Sequence, residues 1–171
     1  KTAAVTARIS TVFLEKMLSA GNKKGVVLKM LSNFLRSKSE ECHSTADLLE
    51  LDFLSSRALF TKCGAAPSFV LHNGNLFRVD CHSVPIGITR EIAVEEIEAP
   101  IYAGDLVIMM SDGIAPNEDD LFALSEALTD SASLSPKEIA DKILSLATNK
   151  NDEEQSNPDD CSVLVARIIA A

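Results

Sequence analysis

Positive charge is scarce in this sequence. Sixteen Lys and Arg stand against 25 Asp and Glu, giving a formal charge of −9 and a pI near 4.8. A nucleic-acid surface needs clustered Lys and Arg, so this balance argues against one. Long apolar runs are missing too: no stretch reaches the roughly 20 residues of a transmembrane helix, and these residues contain no signal peptide. The cysteines are only Cys42, Cys63, Cys81 and Cys161, with no C-x-x-C pair. They read as buried free thiols in a reducing compartment, against a zinc site or a disulfide framework. There is no Gly-x-Ser-x-Gly elbow and no Gly-rich phosphate loop, which removes the common hydrolase and nucleotide-binding readings. Internal repeats and low-complexity tracts are absent as well.

What is present is a chain of 171 residues, 46% of them apolar. That suits a single domain over 1–171 with a substantial core. It begins at Lys1 in helix-forming sequence without an initiator Met, so it is expected to be a piece of something longer. Val5, Ile9, Val12, Phe13, Met17 and Leu18 recur at helical spacing and predict a helix over 3–20 with one buried stripe, closed by Gly21. A second helix is predicted over 23–36, with Val27, Met30, Leu31, Phe34 and Leu35 inward. Together they form a helical hairpin across Gly21-Asn22.

From about residue 43 the pattern changes to strands: 45–51, 57–63, 69–72, 76–79 and 92–97. Asn73-Gly74-Asn75 is a hairpin signal, because Asn-Gly tolerates positive φ. Leu106 to Met110 then form an uninterrupted apolar run, read as a strand buried on both faces. Helical periodicity returns over 121–128. Ser135-Pro136-Lys137-Glu138 is a capping box opening a helix to about 147. The stretch 149–158 is polar and acidic, and Ser162 to Ile169 is a β-branched final strand.

Two acidic points sit at the ends of strongly apolar strands. Asp112, followed by Gly113, closes the run from Leu106; Asp159 and Asp160 precede the last strand. In antiparallel neighbours these ends coincide. Converging carboxylates repel, and a hard divalent cation is the usual way to hold them. Oxygen-only ligation favours Mg²⁺ or Mn²⁺ over zinc. Ordinary solvated turn aspartates account for the same spacing equally well. His43, His72 and His82 are isolated and read as partly buried polar residues, not bases. Cys63, with no paired His, reads as a structural thiol.

The segment Ala103 to Ile114, containing Ser111-Asp112-Gly113, together with Pro158-Asp159-Asp160-Cys161-Ser162 to Arg167, resembles metal-dependent serine/threonine phosphatases of the 2C type. More narrowly, it resembles the phosphatase domain of stage II sporulation protein E. Thr61 to Phe69 and Val84-Pro85-Ile86-Gly87-Ile88 support this in order and position. The resemblance implies an α+β fold with two antiparallel sheets sandwiched between helical layers. It also implies a binuclear Mn²⁺ or Mg²⁺ site whose activated water attacks phosphoserine or phosphothreonine. Asp112 and Asp159 match its metal ligands, while Asp160 and Gly113 stand beside them as supporting groups or further ligands. No side chain of the protein acts as nucleophile.

By the same resemblance the substrate is a phosphorylated anti-sigma-factor antagonist, and the setting is the cytoplasmic domain of a bacterial protein whose full-length chain is membrane-attached. Residues 1–36 match a regulatory switch region that also allows a homodimer. One departure matters. The family's Asp-Gly motif, whose Asp bridges both metals, belongs shortly before the first helix; no such pair occurs in the N-terminal part of this sequence, so the N-terminal strands are expected to be missing from it. The alternative is a non-catalytic pseudophosphatase or interaction module with the same fold.

Overall fold

The structure, a computed structural model, describes residues 2–38, 42–153 and 160–169. Its contacts gather into two compact units that interleave along the chain. The first comprises Lys1–Leu51, Leu59–Ala65 and Cys81–Glu98, and the second Asp52–Ala58, Ala66–Asp80 and Ala99–Ala171.

In the first unit, helices α1 (Thr2–Ser19) and α2 (Lys24–Lys38) accompany strands β1 (Ala46–Asp52), β2 (Arg57–Cys63) and β5 (Glu95–Pro100), which form a sheet in the order β1-β2-β5. The helical hairpin closes as predicted. Gly21 takes φ +80°; its N–H donates to Leu18 O at 2.9 Å and Asn22 N–H to Met17 O at 3.3 Å. These are the paired bonds of a Schellman cap, which favours glycine because of its left-handed backbone. Leu28, Leu31 and Leu35 of α2 are buried with Ala46, Cys63, Ile86 and Ile92.

The predicted stripe on α1 is not the buried one. Val5, Ile9 and Val12 are 58%, 38% and 49% exposed, whereas the small polar Thr6 and Ser10 face inward. Phe13 and Leu14 pack against the core edge. Apolar residues occur on more than one face of α1, so periodicity alone could not choose which face packs. On α2, Met30 is likewise exposed, while Phe34 stacks on Phe13 with ring centroids 6.1 Å apart.

Lys62 and Asp47 pair across β1 and β2, with Nζ to Oδ2 at 2.5 Å and the Lys62 side chain fully buried. Gly64 ends β2 at φ +62°, and a methyl group there would stand 2.4 Å from Pro85 N. The two supporting segments of the resemblance therefore meet at a contact only glycine allows. Strand β5 starts three residues later than expected. Ile92 is buried in the core, and the Glu95 carboxylate accepts from the N–H groups of His82 at 2.8 Å and Ser83 at 2.6 Å. Residues 92–94 thus run as a packed irregular segment before pairing begins.

The second unit holds an antiparallel sheet in the order β4-β3-β6-β7, from β3 (Ser68–His72), β4 (Asn75–Val79), β6 (Leu106–Met110) and β7 (Val163–Arg167). Asn73 and Gly74 turn the β3–β4 hairpin at φ +48° and +80°. Phe69, Leu71, Leu106 and Ile108 bury one sheet face against Leu121, Leu124 and Leu128 of α3 (Glu118–Thr129) and Ile139 and Ile143 of α4 (Pro136–Glu153). Leu106 to Ile108 are buried on both faces, but Met109 and Met110 are only half-buried.

Helix α3 begins three residues earlier than the apolar pattern suggests, because Asn117 Oδ1 accepts from Asp120 N–H at 3.0 Å and caps it. The capping box of α4 forms: Ser135 N–H donates to Glu138 Oε2 at 2.8 Å, and Glu138 N–H to Ser135 Oγ at 3.3 Å. That helix continues to Glu153, beyond the predicted end. The chain thus carries two antiparallel sheets with helices, the fold class the resemblance implied. No described helix is long and apolar enough to cross a membrane.

Candidate metal site

Strand β6 carries the chain from the buried core to Asp112. Met110 pairs with Val163 of β7, and one step further Ser111 N–H donates to Ser162 O at 2.9 Å. Ser111 Oγ accepts from Ser162 N–H at 2.9 Å and donates to Asp160 O at 3.0 Å. Its hydroxyl is thereby committed to joining the two strands and does not cap the single turn of 3₁₀ helix, Asp112–Ile114, that follows. Asp112 opens that turn and is exposed, as is Asp160 at the head of β7. Cys161 Sγ–H donates to Gly113 O at 3.1 Å, fixing the turn to the β7 side.

The ladder therefore brings together the strand ends carrying Asp112, Gly113 and Asp160, as the antiparallel reading required. Asp159 lies outside the described residues. The donors on offer here are carboxylate and carbonyl oxygens; the thiol of Cys161 is engaged with Gly113, and a carbonyl oxygen retains a second lone pair. That chemistry fits a hard divalent cation. Among the described residues no group of three or more His, Cys, Asp or Glu is gathered for a metal.

In the sequence alone Ser111 reads only as part of the Ser111-Asp112-Gly113 turn. The signal that could have found it is a hydroxyl directly before Asp-Gly at a strand end, facing a second serine, Ser162, across the ladder.

The turn leads through Asn117 into α3, whose first residue, Glu118, is gripped by Arg78 of β4 at 2.8 and 2.9 Å. That bidentate pair holds the Glu118 carboxyl below its ordinary range and pushes the Arg78 guanidinium up. His72 donates or accepts at 2.7 Å with Asp105, is half-buried as read, and sits away from this site on the β3–β4 turn. His43 and His82 are exposed, not partly buried. All four cysteines are free; only Cys63 is buried, the others being half-buried. Burial, then the neighbouring Cys81, pushes the Cys63 thiol up to about 11.

The family model described as stage II sporulation protein E (SpoIIE) matches residues 1–169. The chain belongs to the SpoIIE family. It is 32% identical over 162 residues to stage II sporulation protein E of Bacillus subtilis (strain 168), covering 91% of this chain and 19% of that protein. It spans about a fifth of the length of that curated relative. The solved PP2C phosphatase domain of SpoIIE from Bacillus subtilis, with a fragment of its regulatory domain, superposes with TM-score 0.77 at 30% identity, covering 94% of this chain and 49% of that one. A manganese-presoaked structure of the same phosphatase domain gives 0.67 at 28% identity, covering 95% and 74%. SpoIIE relatives of this kind are PP2C-type serine/threonine phosphatases, which are hydrolases, and this chain has their fold.

Proposed function

We propose that this chain is the greater part of a metal-dependent protein serine/threonine phosphatase domain acting on a small regulatory phosphoprotein of the anti-sigma-factor-antagonist kind. The observation that carries this is the β6–β7 ladder. It delivers Asp112 and the head of β7 to one place, in a chain matched to the SpoIIE family over nearly its whole length. Asp112 and Asp159 would hold Mn²⁺ or Mg²⁺ in a two-metal site, with Asp160 and Gly113 as supporting groups.

When bound, such ions activate water and clamp phosphoryl oxygens. The chain's own contribution is positioning. Ser111 locks the two strand ends, so the Asp112 carboxylate stands on a rigid mount; the Arg78–Glu118 pair anchors the segment after the turn to β4. Residues 1–36 are proposed as a regulatory surface. The cytoplasmic, membrane-attached setting and the sporulation substrate belong to this proposal as well.

The test is Asp112→Asn in the full-length protein, assayed for Mn²⁺-dependent phosphate release from a phosphorylated antagonist. Release should fall by at least about a hundredfold, as expected for losing a metal-coordinating group, with circular dichroism and melting temperature unchanged. Equal turnover in the two proteins overturns the metal assignment.

A further inference from the structure

Two of the four thiols meet at one hydroxyl. Cys63 closes β2 and is buried, whereas Cys81 is half-buried at the start of the segment that leads to β5. Ser83 Oγ lies 3.2 Å from Cys81 Sγ, and the same hydroxyl is hydrogen-bonded to the Cys63 thiol. Cys63 Sγ–H donates to Val84 O at 3.2 Å, and Gly64 N–H donates to Ser83 Oγ at 3.4 Å. The main chain beside Cys63 is thus in contact with Ser83 and Val84, and through Gly64 with Pro85. Cys42 and Cys161 lie elsewhere, against Thr6 Oγ1 and Gly113 O. The chain leaves the first unit after Ala65 and re-enters it at Cys81. Cys63 and Cys81 therefore stand at the two ends of the excursion that forms the β3–β4 hairpin.

We infer that Cys63 and Cys81 are an oxidant-responsive dithiol that hydrogen peroxide converts to a reversible disulfide. A disulfide needs Cα atoms within about 7 Å, and the contacts at Ser83, Val84 and Pro85 leave only a small movement of the irregular segment to make. Cys81 is the thiol that solvent reaches. Its thiolate attacks peroxide, the O–O bond breaks, and Cys81 becomes a sulfenic acid while the departing hydroxide takes up the proton the thiol gave and leaves as water. Cys63 then attacks the Cys81 sulfur. The S–S bond forms, the S–O bond breaks, and the hydroxyl leaves with the Cys63 proton as a second water. Two thiols give up two electrons and one peroxide takes them. Burial holds Cys63 protonated and out of reach of the oxidant, which suits it to the second step and not the first. A small-molecule dithiol reverses the change by exchange.

The test uses this chain, reduced and then treated with a small excess of hydrogen peroxide. Peptide mapping by mass spectrometry without reductant should find the Cys63 peptide joined to the Cys81 peptide, and dithiothreitol should separate them. In Cys81→Ser, the Cys63 thiol should stay reduced and alkylate fully once the chain is unfolded. That variant changes the half-buried partner, so the test does not depend on replacing a core residue. Along the chain Cys63 is nearly as close to Cys42 as to Cys81, so in strong urea the two pairings should form alike. In the folded chain the Cys63–Cys81 product should exceed the Cys42–Cys63 product about tenfold or more. The proposal is overturned if folding gives no preference over urea, if both thiols stay reduced, or if Cys81 goes on to sulfinic acid while Cys63 remains free. It is also overturned if Cys81→Ser leaves Cys63 as readily oxidised, or if Cys63 pairs with a thiol of another copy. Neither metal nor phosphoprotein enters the experiment, so its outcome is separate from the phosphatase reading.

Discussion

Ser111 has one hydroxyl and uses it twice, accepting from Ser162 N–H and donating to Asp160 O. Ser111→Ala removes both bonds at the point where β6 and β7 present their acidic ends. Mn²⁺ affinity, read by calorimetry on the full-length protein, is expected to fall about tenfold, as for other groups that orient a ligand. Ser111→Thr should restore most of it, because the hydroxyl returns. A second residue-scale case is Lys62, fully buried against Asp47. Lys62→Met takes the cation away from the Asp47 carboxylate in a largely dry site and should cost about 3–5 kcal/mol in urea unfolding. Lys62→Met combined with Asp47→Leu should recover much of that loss. A double variant no more stable than the single one would show that the pair matters for packing and not for charge.

At the scale of elements, α4 illustrates a start that is read locally. Ser135 donates to Glu138 through both its hydroxyl and its N–H, and these bonds, hydroxyl first, hold the Glu138 carboxyl below its ordinary 4.5. A carboxyl depressed by folding adds stability above its unfolded pKa and loses it as pH falls through the folded value. Ser135→Ala should therefore lower the melting temperature by about 3 °C at pH 7, and the difference from the parent should shrink as pH is taken below the ordinary glutamate range. A gap that stays constant down to strongly acidic pH would sever the capping box from that dependence. Helix α1 is the contrary case. Its apolar residues are spread over two faces, and the core took Thr6 and Ser10 inward, with Phe13 at its edge, while Val5, Ile9 and Val12 stayed exposed.

Across the whole molecule, a cationic hairpin and an acidic remainder share one chain of net charge −9. Near the pI of about 4.8 the overall repulsion between copies vanishes while the opposite poles remain. Dynamic light scattering at low ionic strength should show association rising toward that pH and dispersing in about 0.5 M NaCl, where the Debye length is only a few ångströms. Association insensitive to salt would mean that apolar contacts, not charge, hold the copies together.

The sequence by itself determined most elements and their order, because each rests on short-range physics. The Gly21 turn needs a left-handed backbone, Asn73-Gly74 sets a hairpin, Ser135 to Glu138 open a helix, and five consecutive apolar residues need burial. It also made Asp112 and the Asp159-Asp160 pair candidates, since acids at the ends of buried strands are visible in one dimension. What only the tertiary structure decided depends on partners far apart in the chain. Ser111 became a fastener because Ser162 lies opposite it in the β6–β7 register. Strand β5 began late because Glu95 was drawn to the N–H groups of His82 and Ser83. The buried face of α1 was chosen by the surface α2 and the first sheet offered to it, and a helix with apolar residues on two sides carries no local preference strong enough to choose for itself.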